Sequence, residues 1–398
     1  MTVKIVHSGG NGVSIAPPDA NPASDKTVKL PAANGTLLTT ESSPSFRNLI
    51  INGAMQVAQR GTSSTTSASY TCDRFRVKWS GQDEVLTYSQ HALTSSDTGP
   101  WAKGFRYSLH VQNGNQTSGA GAADYANINY RVEAQDVAGS GWDYTSASSY
   151  ITLSFWVKSS VAQTFYFIIT NGDGTTYNYP IETGSLTADT WTKVTKTIPG
   201  NSNLTINNDN GNGLEFDIQL FRGTDTTGSV TLNQWATFAS ATRCPDVTST
   251  WWTTNDATFE ITGVQLEIGE TATEFEHRSY GDELRRCQRY YFKETAVTNG
   301  FLSGCGFACN ATFGIVHCDF PVVMRAAPTA LEQTGTAGDY KMGRRTAATT
   351  CSAVPAFDFA NTQHAQVLWY VSTGMVAGEG VFMRTTTTDV YLAWSSEL

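Results

Sequence analysis

In the stretch YITLSFWVKSS, Ile151, Leu153, Phe155 and Val157 fall on one side of an extended chain, while Tyr150, Thr152, Ser154, Trp156 and Lys158 fall on the other. Period-two alternation of this kind suits a strand with one buried face and does not suit a helix. It recurs in LEFDIQLF, where Leu214, Phe216, Ile218 and Leu220 oppose Glu215, Asp217 and Gln219. In TFEITGVQLEIG the apolar phase runs through Phe259 and Ile261, slips by one residue, and resumes at Val264, Leu266 and Ile268. Gly263 stands at the slip, where a bulge would restore burial. Turn-forming segments such as TNGDGTTYN and NNDNGNG separate these runs. The pattern predicts antiparallel sandwiches of jelly-roll type. A charged content of 15% and 35 glycines agree with a chain built of strands and turns.

At 398 residues the chain exceeds what a single core usually fills, so more than one domain is expected. Residues 1–45 form an extended leader, with apolar pieces GVSIAPP and TVKLPAANGTLLTT and prolines at 17, 18, 22 and 31. Each proline removes a backbone donor, so a compact sheet within one chain is not expected there. Val13, Ile15, Val28, Leu30, Leu37 and Leu38 would need partner chains for burial. Residues 46–278 carry the first sandwich. Residues 295–398 are again β-like, with Val390, Leu392 and Trp394 on one face, and form a second, smaller sandwich.

Between the two lies SYGDELRRCQRYYFKE, residues 279–294, the only strong helix pattern. Ser279 and Asp282 make the reciprocal start signal. Tyr280, Leu284, Cys287 and Tyr291 follow at heptad-like spacing and form a narrow apolar seam. The seam fits either packing on the chain's own sandwich or contact on an oligomer axis.

The sequence holds no nucleophile-elbow, phosphate-loop or zincin motif. A net charge of −9 argues against a nucleic-acid groove. No apolar run is long enough to span a membrane, and the N-terminus lacks the pattern of a secretory leader. The seven cysteines are an odd number, so reduced, mostly buried thiols are expected. Asp73, Glu84, Asp173, Glu182, Glu260, Glu267 and Glu274 are scattered carboxylates with no evident pairing for glycoside hydrolysis. Cys305, Cys309, His317 and Cys318 have poor spacing for zinc, since neighbours on a strand face opposite sides. Asn171 and Asp173 lie in an acidic turn without a calcium-loop series. No catalytic residue, metal or cofactor is therefore expected.

Sugar binding is easier to support. Aromatic rings cover the apolar faces of sugars while amides and carboxylates hold the hydroxyls. GSGWDYTS offers Trp142, Asp143 and Tyr144, and TSTWWTTND offers Trp251, Trp252 and Asp256, in stretches that read as loops. These six residues are the candidate ligand contacts.

TVKLPAANGTLLTT resembles the short LP-x-x-x-GT-L element near the N-termini of tailed-phage fibre proteins. NLIINGAMQVAQRG followed by YTCDRFRV resembles the start of a jelly-roll module in phage and prophage tail fibres. LSFWVKSS, TWTKVTKTIPG and FEITGVQLEIGETATEFEHRSYGDELRRCQRYY resemble its later strands and exit helix. FPVVMRAAPTA and the terminal SSEL resemble the closing domain of the same proteins. The resemblance implies a homotrimeric, non-enzymatic receptor-binding protein of the virion tail. Its N-terminus would join a tail, baseplate or adaptor protein, and its sandwiches would meet a host cell-surface glycan or outer-membrane protein. In that frame Tyr280, Leu284, Cys287 and Tyr291 are the candidate trimer contacts. A tailspike depolymerase, a secreted glycan-binding protein and a purely structural tail component are the alternatives; the absence of a solenoid period disfavours the first.

Overall fold

The computed structural model describes residues 3–6, 12–15, 47–296, 300–345, 347–387 and 390–398. The chain divides into two compact units, Met1–Pro44 and Ser45–Leu398. In the first, strands Val3–Val6 and Gly12–Ile15 form an antiparallel hairpin that pairs Val3 with Ile15. This small intrachain sheet departs from the expectation for the leader. It forms ahead of the first proline, where every backbone donor is intact. Val28, Leu30, Leu37, Leu38 and the leader prolines lie outside the described residues.

The second unit is nearly all β, as the alternation predicts. Its first half is a sandwich of two antiparallel sheets. The first sheet runs Ala236–Thr237, Tyr177–Ser185, Thr164–Asn171, Asn212–Arg222, Tyr125–Glu133, Arg76–Ser80, Ser69–Tyr70. The second runs Thr192–Pro199, Tyr150–Ser159, Thr258–Ile268, Tyr107–Gln112, Thr87–Ala92, Ser63–Ser64. Several neighbours, such as Tyr150–Ser159 and Thr258–Ile268, are distant in the chain, so hairpin connections alone cannot build it. Ile151, Leu153, Phe155 and Val157 from one sheet and Leu214, Phe216, Ile218 and Leu220 from the other fill the core between them. Phe155 stacks on Phe167 across the gap at 4.4 Å.

The bulge anticipated at Gly263 is present. The register of Thr258–Ile268 against Tyr150–Ser159 shifts between Thr262 and Gln265. Gly263 has φ +63°, and a Cβ there would lie 2.7 Å from the Phe105 ring. Only glycine meets both demands at this point.

The helix is shorter than its pattern suggested. It spans Tyr280–Gln288, with Ser279 at the N-cap accepting from the Asp282 amide. Tyr291–Thr295 is instead a strand, paired with the final strand Tyr391–Ser395. The aromatic run Tyr290, Tyr291, Phe292 suits a pleated surface better than a helix, and a strand partner is available.

The second half of the unit has a three-stranded sheet, Tyr291–Thr295, Tyr391–Ser395, Glu332–Gln333, and a seven-stranded sheet ordered Ala348–Thr350, Tyr340–Gly343, Gly380–Thr385, Phe301–Ala308, Phe313–Asp319, His364–Tyr370, Ala356–Ala360. Their facing sides share a separate core that includes Val316, Val367, Trp369, Met383, Val390, Leu392 and Trp394. The two halves are tied by polar contacts. Arg74 and Arg60 pair with Glu397. Arg325 donates to the carbonyls of Asn210, Ser396 and Glu397, and Arg289 pairs with the fully buried Glu133.

Candidate functional site

The six loop residues singled out from the sequence do not form a site. Trp251 and Trp252 sit in a one-turn helix and are fully buried, and Trp142 is buried as well. Trp252 stacks on Phe221 at 5.1 Å and donates its indole N–H to Gly119 O. Trp142 donates to Ser149 O and meets Tyr144 edge-on. These rings close the ends of the core and have no free face for a sugar. Asp143 and Asp256 are exposed, but they are bonded to Thr145 and Gln112 respectively. The half-buried Tyr144 donates to Ile206 O.

The candidate trimer seam is also redirected. Cys287 and Tyr291 are buried, and Cys287 packs with Ile51, Val57, Tyr290 and the partly buried Leu284 and Leu398 of its own chain. Only Tyr280, 56% exposed, is left open to solvent. A single ring cannot hold an axis, so the helix serves as an internal wedge between the two halves.

The remaining sequence candidates are occupied locally. His317 is exposed and Cys318 buried, on opposite faces of their strand. Among the described residues no three His, Cys, Asp or Glu side chains converge on one point. Asn171 donates to Asp173 O and Thr175 O, and Asp173 accepts from Asn207, so the acidic turn consumes its own ligands. Glu260 holds Lys158 and Ser108, Glu267 holds Thr273, and Asp73 holds Gln59.

A different surface carries an ordered polar network: the outer face of the first sheet. Strand register places Gln219 beside Asn127 and Tyr166, Asp217 beside Asn129 and Ile168, and Glu215 beside Arg131 and Thr170. Thr170 in turn faces Asn178. Asp217 Oδ1 accepts from both Asn127 Nδ2 (2.5 Å) and Asn129 Nδ2 (3.0 Å). Glu215 accepts from Asn129 Nδ2 (2.6 Å) and Arg131 Nε (3.0 Å). Asp217 and Glu215 are thus held by their cross-strand neighbours, which fixes this part of the floor in advance.

The excursion between Arg222 and Thr258 folds back over one side of this face. Cys244 from it is buried, and the Arg243 guanidinium lies 5.6 Å over the 38%-exposed ring of Phe238. The result is a pocket of about 220 Å³ lined by Ile168, Asn178, Asp217, Gln219, Phe238 and Arg243, among others. Burial lowers the Arg222 pKa from its ordinary value, with Asp217 opposing the shift.

Two atoms on the floor are unsatisfied. Asn127 Oδ1 and Gln219 Nε2 are buried and have no hydrogen-bond partner, although their residues are direct cross-strand neighbours. One is an acceptor and the other a donor. Both residues are almost fully buried, and of the two only Gln219 lines the pocket.

This site carried a weak signal in the sequence. Glu215, Asp217 and Gln219 read as the solvated face of a strand. The second half of the signal is ANINYRVE, in which Asn127 and Asn129 alternate with apolar residues. Asparagine is disfavoured in strands, so its repetition on one face is a local inconsistency of the kind functional sites produce.

No family model and no curated protein matches the chain. Solved structures similar to it include the enzymatically active domain of tailspike protein 4 from bacteriophage CBA120, at 12% identity and a TM-score of 0.30, covering 56% of this chain and 21% of that one. A CBM4 structure is similar at 10% identity and a TM-score of 0.29, covering 55% and 98%. A third is described as a sugar-binding protein from Bacteroides thetaiotaomicron, at 12% identity and a TM-score of 0.31, covering 56% and 100%. The chain spans about a fifth of the tailspike domain's length. Likeness at this level carries no function.

Proposed function

We propose that the protein is a non-enzymatic glycan-binding adhesin whose first sandwich holds a sugar on the outer face of its seven-stranded sheet. The observation that carries the reading is the pocket whose lining combines Asn178, Glu215, Asp217 and Gln219 with Phe238 and Arg243, its carboxylates held in place by Asn127, Asn129 and Arg131. Sugars present adjacent hydroxyls and a weakly apolar ring face, and this surface offers a partner for each. It binds without cutting. Glu215 and Asp217 project from the same side of one strand, next to each other, whereas a glycosidase sets its two carboxyls on either side of the bond it breaks.

The sequence resemblance extends this to a receptor-binding tail fibre of a tailed phage. Its N-terminus would join the tail, several copies would associate, and the sugar would belong to a bacterial surface polysaccharide. Multiple weak sites on one assembly raise avidity without new contacts.

The test is titration of the full chain with a panel of bacterial surface oligosaccharides, followed by a reducing-end assay on any that bind. Saturable binding that falls at least tenfold in Gln219→Ala and in Asp217→Ala, with no new reducing ends, is expected. Binding that survives both substitutions would place the site elsewhere, and release of reducing ends would favour the depolymerase reading.

A further inference from the structure

We infer that the outer face of the C-terminal seven-stranded sheet is an interface between copies of this chain. One face of that sheet packs in the core with Trp369, Met383 and Trp394. The opposite face follows from the register. Phe301 pairs with Arg384, Cys305 with Phe382 and His317, Phe307 with Ile315, Ile315 with Leu368, and Phe313 with Tyr370. Phe301 is 64% exposed, Phe359 50% and Phe307 48%, and Phe313, Ile315, Leu368, Tyr370 and Phe382 are half-buried beside them. An antiparallel sheet that ends at water alternates apolar-in with polar-out. Here the outer side of the central strands is apolar around Phe301, Phe307, Phe313, Ile315, Leu368, Tyr370 and Phe382, with His317 and Gln366 as the polar pair among them.

Size and charge point to a second copy as the occupant. Five strands at ~4.8 Å spacing and a length near 18 Å give roughly 430 Å² per face before side-chain relief, so two faces in contact approach the ~1,000 Å² of a specific interface. A patch of this extent is as large as the largest apolar patch of an ordinary monomer, the kind that is often functional. Its margins carry opposite charge. Lys341 lies on the next strand at one side, paired with Arg384, whose guanidinium stands 5.1 Å over the Phe301 ring. At the other, Asp319 pairs with His364, and Asp358 accepts from Gln366 Nε2 at 2.5 Å. A copy turned to bring its basic margin against the acidic margin of the first covers the phenylalanines and pairs the charges. The helix seam offers no comparable surface, because Cys287 and Tyr291 are spent inside the chain.

The test is the solution mass of the full chain by sedimentation and light scattering over a wide concentration range. A multiple of the 43.1 kDa chain mass is expected. The double variant Phe301→Lys, Phe307→Lys changes only exposed rings and should return to the single-chain mass with an unchanged circular-dichroism spectrum. Lys341→Glu should weaken association roughly tenfold, and Asp358→Lys added to it should restore association, since the margins meet across the interface. A single-chain mass for the unaltered protein overturns the inference, including the case in which the phenylalanine variants lose a ligand instead. An unchanged mass in the double variant also overturns it, because assembly would then be held elsewhere, by the leader for example. The sugar-binding reading stands or falls separately. The monomeric double variant should keep the oligosaccharide affinity of each groove, and loss of groove binding in a protein that still associates would sink only that reading.

Discussion

Replacing Glu133 by alanine should loosen the joint between the two halves of the protein. Its carboxylate is fully buried at the end of the strand Tyr125–Glu133. It accepts from Arg289 Nε at 2.7 Å, Arg289 Nη2 at 2.8 Å, Tyr290 Oη at 2.5 Å and Gln135 Nε2 at 2.6 Å. Removing one partner of a buried pair costs about 3–5 kcal/mol, chiefly through the charge left behind. The Arg289 side chain keeps 29% of its exposure and can turn toward water. Tyr290 cannot, because it is buried against Cys287. A loss of ~3 kcal/mol is therefore expected for Glu133→Ala, and about half that for Glu133→Gln, which retains one acceptor. Equilibrium urea unfolding measures this, and a cycle with Arg289→Ala isolates the pair. Because the pair joins the sandwiches, the single transition of the unaltered chain should separate into two in Glu133→Ala. A loss below ~1 kcal/mol, or strict additivity in the cycle, would refute the assignment of this pair as a structural tie.

Two further outcomes follow from buried groups. Burial pushes the Asp73 carboxyl up to about 6, against the opposing pull of Arg60 and Gln59. A raised carboxyl favours the fold fully below the ordinary carboxylate range and loses that contribution as pH rises through about 6. Unfolding free energy should therefore fall between pH ~4 and ~6 by up to ~3 kcal/mol from this group, and Asp73→Asn should flatten that slope; an identical pH profile in the variant would contradict it. Gly263→Ala should cost ~2–4 kcal/mol through its positive φ and the clash with Phe105. Thermal unfolding measures the cost, and Phe105→Leu in the same chain should recover part of it; a neutral Gly263→Ala would show that the bulge tolerates a side chain.

The fold was legible where burial is one-sided. Strands 150–158, 214–220 and 259–268, with the slip at Gly263, could be read because the period of two reports which face meets the core. The helix end could not. Tyr291 fits a heptad as well as it fits a strand, and only the distant partner Tyr391–Ser395 decides between them. The binding candidates failed for a related reason. Tryptophans in Gly/Ser/Thr-rich loops look exposed in sequence, yet the sandwich ends need large plugs, and Trp142, Trp251 and Trp252 fill them. The groove was hidden because it combines Asn127 and Asn129 with Asp217 and Gln219, residues some ninety positions apart that register alone brings together. A strand's polar face reads as solvated until its neighbour shows that the polar groups point at one another.

The joint bears on both proposals. Glu397, near the chain's end, is held by Arg60 and Arg74 from the first sandwich. The Arg60 and Arg74 guanidiniums lie 3.5 Å over Tyr291 and 3.4 Å over Tyr290. Hydrogen-bonded charges packed on rings resist the sliding that domain contacts usually permit. A rigid joint would matter for a protein that, as proposed above, associates through one sandwich and binds through the other. If the halves swung freely, association at the terminal sheet would leave the grooves in random directions, and each would bind its sugar independently. With the halves locked, copies held at the terminal sheet present their grooves in one fixed arrangement, and the second binding event becomes intramolecular. Loosening the joint through Glu133 should therefore lower avidity for a multivalent surface while leaving the affinity of each groove for a free oligosaccharide unchanged.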